Sequence, residues 1–402
     1  MKLLKVEFAG EELFNNSNFS FDLFASDRVM KPEDGEPLAN VHKIKDTRNI
    51  YSQNVIGISG VNASGKTTVV TLLQFAAQYL TMSYLVRSNR FASVAPAKLG
   101  PRFIFRAIFS DHNNVYAIVS TIDRRAGKDD SNWYRIADEQ LYELRPQKVT
   151  KSLLESVEAF TKQATLIINR NALPGENGAL TKDQRTFLRD DMSVVMAVTR
   201  RRLVDHIEVT EGLEQTSYST QLVNAFDPSV EYLRWNPESE VYHLKFYGES
   251  ERSLSRDAAE TQLSFGTLVG SEMVLKAVGI LQEGGLMIID EIESGLNKSL
   301  VKVIIDLFLS ESTNPNGAQL VFTTHYPEIL DFLPRKDDVY LLLRDSSHRT
   351  QAVKYSSEVK RIENKKSEVV LSNYIKGTMP NYPDIRGLRN FVRSNVKRGL
   401  DE

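Results

Sequence analysis

Eight consecutive residues restrict the possible folds of this chain more than any others: Gly60-Val61-Asn62-Ala63-Ser64-Gly65-Lys66-Thr67. Their spacing is G-x-x-x-x-G-K-[ST], the P-loop pattern. The run Asn54-Val55-Ile56-Gly57-Ile58-Ser59 before them predicts a short buried strand, and Thr68 to Ala77 after them predicts a helix. A strand that passes into a helix through two glycines can curl its backbone until successive N–H groups face one phosphate. The positive end of the helix dipole adds to that field. The nucleotide-binding candidates are therefore Gly60, Asn62, Ala63, Ser64, Gly65, Lys66, Thr67 and Thr68. Lys66 would reach the β- and γ-phosphates, and the Thr67 hydroxyl would ligate Mg²⁺. ATP and Mg²⁺ are the expected cofactors, and an α/β fold is the expected class.

Composition sets the outer limits. The 402 residues, 41% hydrophobic and 25% charged, can bury a large core. Lys and Arg total 50 against 52 Asp and Glu, so contact with nucleic acid would need a local basic patch. The absence of cysteine excludes disulfides, thiolate zinc sites and thiol catalysis. Charges interrupt the first apolar run, Met1 to Phe8, so it does not read as a signal peptide. No stretch reaches about 18 apolar residues. The expectation is a cytoplasmic protein without membrane contact.

Two alternating runs, Leu3–Phe8 and Phe19–Phe24, predict strands, and residues 27–50, with Pro32 and Pro37, predict a loop. Arg102–Ser110, Val115–Ser120, Trp133–Ala137 and Leu141–Leu144 predict an antiparallel meander with a polar link at Arg124–Asp130. Helices are expected over Lys151–Ala164 and Lys182–Ile207, broken at Ala172–Gly178, and a strand at Val241–Tyr247. The expected organisation has four parts. Residues 1–149 form the first half of a nucleotide-binding core with a β lobe, and 150–259 an inserted lobe, mixed and mainly helical. Residues 260–345 form the second half of the core, and 346–402 a helical extension.

Three further segments carry chemistry. Leu286-Met287-Ile288-Ile289-Asp290-Glu291 is an apolar run ending in two acids, the pattern of a buried parallel strand whose carboxyl end meets a ligand. Asp290 would hold Mg²⁺, and Glu291 would orient or deprotonate an attacking water. Leu263-Ser264-Phe265-Gly266-Thr267 opens a helix predicted over Leu268–Leu281, which places Ser264 and the Gly266 N–H where a phosphate can bind. Taken by itself, Ser264 reads first as an ordinary helix cap. Leu320-Val321-Phe322-Thr323-Thr324-His325 ends a buried run on a histidine that could sense the γ-phosphate.

In that order, and with Ser294-Gly295-Leu296-Asn297 after the acid pair, these segments resemble the Walker A, signature, Walker B, D-loop and H-loop set of ABC-type ATPases. Leu-Ser-Phe-Gly-Thr departs from the transporter signature Leu-Ser-Gly-Gly-Gln. It is similar to the form in stand-alone OLD-like and SMC-like relatives, as is Asn373-Tyr374-Ile375-Lys376-Gly377. Among these, the resemblance extends to anti-phage abortive-infection and anti-restriction-induced defence ATPases. It covers residues 1–26, 54–144 and 260–345 and is thin over 150–255. It implies an ABC-ATPase-like P-loop NTPase core with a mixed β-sheet and an antiparallel β lobe. It also implies a homodimer or higher oligomer with ATP held between Walker A of one copy and Ser264, Gly266 and Asn297 of the other. Catalysis would fall to Lys66, Glu291 and His325. A separate effector, a nuclease or toxin encoded nearby, would supply the output.

The family's Q-loop glutamine has no clear counterpart; Gln140 and Gln147 are the candidates. Tyr51 is a candidate for stacking on adenine, and a core aromatic accounts for it as well. Arg200-Arg201-Arg202, and the terminal set Arg386, Arg389, Arg393, Lys397 and Arg398, could meet nucleic acid or an acidic partner, or face solvent. Two other functions compete. An SMC-like DNA repair ATPase is one; long coiled-coil arms are missing, which leaves a short-headed form of it. A transporter's nucleotide-binding subunit would carry the transporter signature.

Overall fold

The computed structural model describes residues 1–11, 14–30, 39–81, 99–111, 114–126, 132–198, 213–345, 347–360, 364–379 and 382–398. At its centre lies a five-stranded sheet. Its order is β13 (Leu286–Ile289), β14 (Gln319–Thr324), β5 (Val55–Gly60), β15 (Val339–Arg344) and β16 (Thr350–Lys354). The first four strands run parallel, and β16 pairs antiparallel at the edge. Alternation divides each strand between two cores. Ile56, Ile58, Leu286, Ile288, Val321 and Leu342 face one side, and Val55, Met287, Ile289, Leu320, Phe322 and Leu341 face the other. Apolar side chains on both faces demand cover on both.

On the first side, helix α1 (Lys66–Thr81) lies between this sheet and a six-stranded antiparallel one. That second sheet has the order β2 (Asn18–Asp22), β1 (Lys2–Glu11), β6 (Leu99–Asp111), β7 (Asn114–Ala126), β8 (Asn132–Leu144) and β9 (Thr165–Asn169). Phe8, Phe75, Tyr79, Phe103 and Phe105 fill the space between helix and sheet with rings in edge and tilted contacts. On the other side, α2 (Phe265–Glu283), α3 (Lys298–Leu309) and the turn Pro327–Phe332 cover the parallel sheet. Gly57 permits that turn to close. A Cβ there would stand 2.9 Å from Leu330 and 3.1 Å from the Phe322 ring.

The span 150–259 is mixed rather than mainly helical over its described residues. β9 completes the antiparallel sheet. β10 (Val230–Asn236), β11 (Val241–Phe246) and β12 (Arg252–Leu254) form a small sheet that packs with α2 around Tyr218, Leu233, Tyr242 and Leu244. The helix expected over Lys182–Ile207 runs only from Lys182 to Phe187, opened by a Thr181/Gln184 capping box. Residues 199–207 of that expectation lie outside the described residues. Tertiary contacts override the helical spacing there. Val194 and Val195 are buried beneath α1, and the Val194 N–H is given to the buried Glu139 at 2.8 Å rather than to a helical carbonyl. Likewise the expected extension from 346 onward begins with edge strand β16, so the β15–β16 hairpin crosses the expected boundary. A short ladder of β3 (Val41–Lys43) with β4 (Tyr51–Gln53) occupies part of the predicted loop. Helix α4 (Tyr382–Arg398) closes the described chain.

Candidate nucleotide site

The site lies at the carboxyl ends of three adjacent strands, β13, β14 and β5. Gly60 ends β5, and the loop that follows is tight. A Cβ at Gly60 would lie 2.6 Å from Ser64 Oγ and 2.7 Å from the Leu342 carbonyl. Ala63 at φ 60° and Gly65 at φ 101° turn the backbone, and Asn62 and Ala63 are exposed at its tip. Ser64 is fully buried, with its Oγ unpartnered. Lys66 Nζ donates to the carbonyls of Gly60 at 2.8 Å and Val61 at 3.3 Å. Burial pushes its pKa below the usual lysine range, opposed by the charges of Asp290, Glu291 and Glu293. Three carboxylates thus act on this ammonium. Thr68 is buried one residue further into α1.

The neighbouring strands supply those acids. Thr67 Oγ1 donates to Asp290 Oδ2 at 2.8 Å, joining the start of α1 to the end of β13. Thr323, fully buried on β14, gives its hydroxyl hydrogen to Asp290 Oδ1 and accepts the Glu291 N–H at 2.8 Å. Glu291 itself sits at φ 52°, a left-handed conformation rarely adopted outside glycine, asparagine and aspartate. His325 Nε2 lies 3.0 Å from Glu291 Oε1, and Ser294 Oγ lies 3.5 Å from Glu291 Oε2. The His325 backbone N–H is taken by Glu293 Oε1 at 2.6 Å.

Lys66, Thr67, Asp290, Glu291 and His325 therefore converge. The donor set suits Mg²⁺: the Thr67 hydroxyl and the Asp290 carboxylate, 2.8 Å apart, are hard oxygen ligands that would hold the ion beside a bound phosphate. Among the described residues no group of three or more His, Asp or Glu forms a closed cation cage.

Ser264 makes no described hydrogen bond to this cluster, and Gly266 meets it only through the turn that follows Glu291. Ser264 caps α2, accepting the Thr267 N–H at 3.1 Å, and its side chain is exposed. Gly266 packs on the turn after Glu291. A Cβ there would lie 2.5 Å from the Gly295 carbonyl, and the Phe265 ring covers Gly295 from the other side. Asn297 caps α3 through the Leu300 N–H at 3.0 Å. No described hydrogen bond joins Ser264 or Asn297 to Gly60–Thr67. Gln140 is engaged by the Tyr142 hydroxyl at 2.6 Å within the antiparallel sheet, and Gln147 is exposed in the turn Pro146–Lys148. Tyr51 precedes the amino end of β5. With Arg28, Arg48 and Lys151 it lines a cavity of about 930 Å³ that no P-loop residue lines. Arg200, Arg201 and Arg202 lie outside the described residues. Arg386, Arg389 and Arg393 are exposed on α4.

Sequence reasoning missed Thr323 and Glu293. A hydroxyl in an otherwise apolar strand end, and a third acid two positions past Glu291, were the available signals.

Residues 199–331 match a family model described as a AAA domain, putative AbiEii toxin, type IV toxin–antitoxin system. The match takes in the Ser264 turn, the acid pair and His325, and does not extend to Gly60–Thr67. It supports a P-loop ATPase of abortive-infection type, a class that binds nucleotide with Mg²⁺ and hydrolyses it. No curated protein matches the chain. No single helix among the described residues is long and apolar enough to cross a membrane.

Proposed function

We propose that this chain is an ABC-type ATPase that closes as a homodimer or larger ring around ATP and acts as the switch of an anti-phage system with a separate effector. The hydrogen-bonded chain from Thr67 through Asp290 and Thr323 to Glu291 and His325 carries the reading. Phosphoryl transfer to water requires mainly positioning and charge stabilisation, and each group has a place in it. Lys66 would hold the β- and γ-phosphates. Thr67 and Asp290 would hold Mg²⁺, which supplies neutralisation of the phosphate charge when bound. Glu291 would accept a proton from water aligned on the γ-phosphorus, and His325, at 3.0 Å from that carboxylate, would hold Glu291 and the γ-phosphate in line.

The exposed cap at Ser264 supports a role toward a second copy, because it makes no hydrogen bond to its own P-loop. Phe265 is 49% exposed and Tyr326, next to His325, 59%. Such rings favour burial when two copies meet. ATP would then bias a two-state equilibrium between separate and closed copies, and turnover would release it. An effector nuclease or toxin reads the closed state in this proposal. Nucleic acid contact remains open to test through the arginines of α4. Long SMC-like arms find no support: between residues 99 and 262 no described helix exceeds 7 residues.

The test pairs two substitutions. Lys66→Ala is expected to lose ATP binding and turnover. Glu291→Gln is expected to bind ATP, stop turning over and accumulate the closed oligomer in sedimentation velocity. Wild-type hydrolysis in both variants would refute the ATPase reading, and an unchanged mass with trapped ATP would refute closure.

A further inference from the structure

Glu293 is used by no step above, yet it holds the backbone of the site's histidine. Glu291 and His325 lie just past the ends of β13 and β14, beyond Ile289 and Phe322, the last residues that these two strands pair with each other. The turn after β13 folds back on itself. Ser294 N–H meets the Glu291 carbonyl at 2.8 Å, and Ile292 N–H meets the Thr323 carbonyl at 3.1 Å. That turn swings Glu293 across to β14, where its Oε1 accepts the His325 N–H at 2.6 Å. The other oxygen, Oε2, is buried without a partner. A carboxylate oxygen kept out of water is costly, so the contact that Oε1 makes has to offset that cost. A charged acceptor makes the shorter and stronger bond.

We propose that Glu293 is a positioning residue that locks the His325 backbone so that the imidazole stays in register with Glu291 for hydrolysis. This rests on the ATPase reading above. The consequence is specific. Releasing the His325 N–H would let the imidazole drift from Glu291 while leaving the backbone of the phosphate cradle, built on β5 and α1, in place; the charge that Glu293 exerts on Lys66 is lost in Gln as in Ala, so the Gln variant controls for it. Loss should therefore fall on kcat and spare nucleotide affinity.

The experiment measures steady-state ATP hydrolysis, ATP affinity by equilibrium binding and thermal unfolding in the full chain. Glu293→Ala is expected to lower kcat by about tenfold or more, with KM and affinity within about twofold of wild type. Glu293→Gln, whose amide oxygen can accept the same N–H, is expected to recover to within about threefold of wild type. Glu293→Asp, one methylene short, is expected to resemble Ala, and it decides the matter if the Ala variant does not fold. Wild-type kcat in a folded Ala or Asp variant, affinity falling in step with kcat, or a Gln variant as slow as Ala would overturn the proposal. Lys66→Ala and Glu291→Gln run beside them separate the two failures: wild-type hydrolysis in both sinks the ATPase reading itself, whereas activity in Glu293→Ala alone sinks only the positioning role.

Discussion

Thr323→Val tests the hydrogen-bonded chain at its centre. Valine keeps the shape of the fully buried threonine and removes one oxygen. That oxygen has two partners, the Asp290 carboxylate and the Glu291 N–H. A hydrogen bond to a charged group contributes about 1.5–3 kcal/mol, and a backbone N–H stranded away from water costs about 1–3 kcal/mol. Both partners share one atom, so the two do not add fully, and about 3 kcal/mol is a fair total. Glu291 at φ 52° is held partly by this bond, so most of the loss should appear where Glu291 works. In the barrier, about 3 kcal/mol corresponds to roughly 100-fold in kcat. In stability, with about 2.1 cal/mol/K of unfolding entropy per residue over the whole chain, it corresponds to roughly 4 °C. Phosphate release at saturating ATP gives kcat, and a fluorescent ATP analogue without Mg²⁺ gives the affinity of the Lys66 loop, which should hold because that loop is untouched, whereas Asp290, the Mg²⁺ ligand, loses one hydrogen bond. Thr323→Ser restores the hydroxyl and should restore most of the rate. A valine variant within about threefold of wild type, or a serine variant as slow as valine, would refute the argument.

Other outcomes follow from separate parts of the molecule. Gly266→Ala places a Cβ 2.5 Å from the Gly295 carbonyl. It should weaken ATP-driven self-association by about tenfold while the ATP affinity of the separate copy, measured at low protein concentration, is unchanged, read by sedimentation velocity, since the clash costs about 1–3 kcal/mol at the exposed turn. Glu139, fully buried, accepts from Tyr79, Ser120, Arg170, Ser193 and the Val194 N–H. Glu139→Ala leaves the Arg170 charge without its partner and should cost about 3–5 kcal/mol in thermal or urea unfolding. Asp338 is buried beside Asn40, Asp337 and Lys366, and burial raises its pKa from 3.8 to about 7. The unfolded chain releases this proton near pH 4 and the folded chain near pH 7, so the folded state binds more protons between them. Stability should therefore decline as pH rises across that window, and Asp338→Asn should flatten the decline in denaturant titrations at successive pH values.

The parts that local pattern could reveal were those whose physics is local. A P-loop needs its glycines, lysine and threonine within eight positions, because the backbone that wraps a phosphate is itself continuous. The run Leu286–Glu291 showed a buried strand because four apolar residues must be covered on both faces. The alternating stretches from Arg102 to Leu144 showed half-buried strands for the complementary reason. The misread helix over Lys182–Ile207 has the opposite character. Its apolar residues at Met192, Val194 and Val195 are spaced acceptably for a helix, yet they are drawn into the core by α1 and by the carboxylate of Glu139, far away in sequence.

The sequence by itself determined that a phosphate-binding loop, a pair of acids and a histidine each end a buried strand. Only the tertiary structure decided that those three strands are neighbours, in the order β13, β14, β5, with their ends level. Register across a parallel sheet is a long-range property, set by which apolar faces can share a core, and no spacing along the chain encodes it. For that reason Thr323 and Glu293 emerged only from the fold. Their roles lie in hydrogen bonds between strand ends that are more than thirty positions apart in the chain.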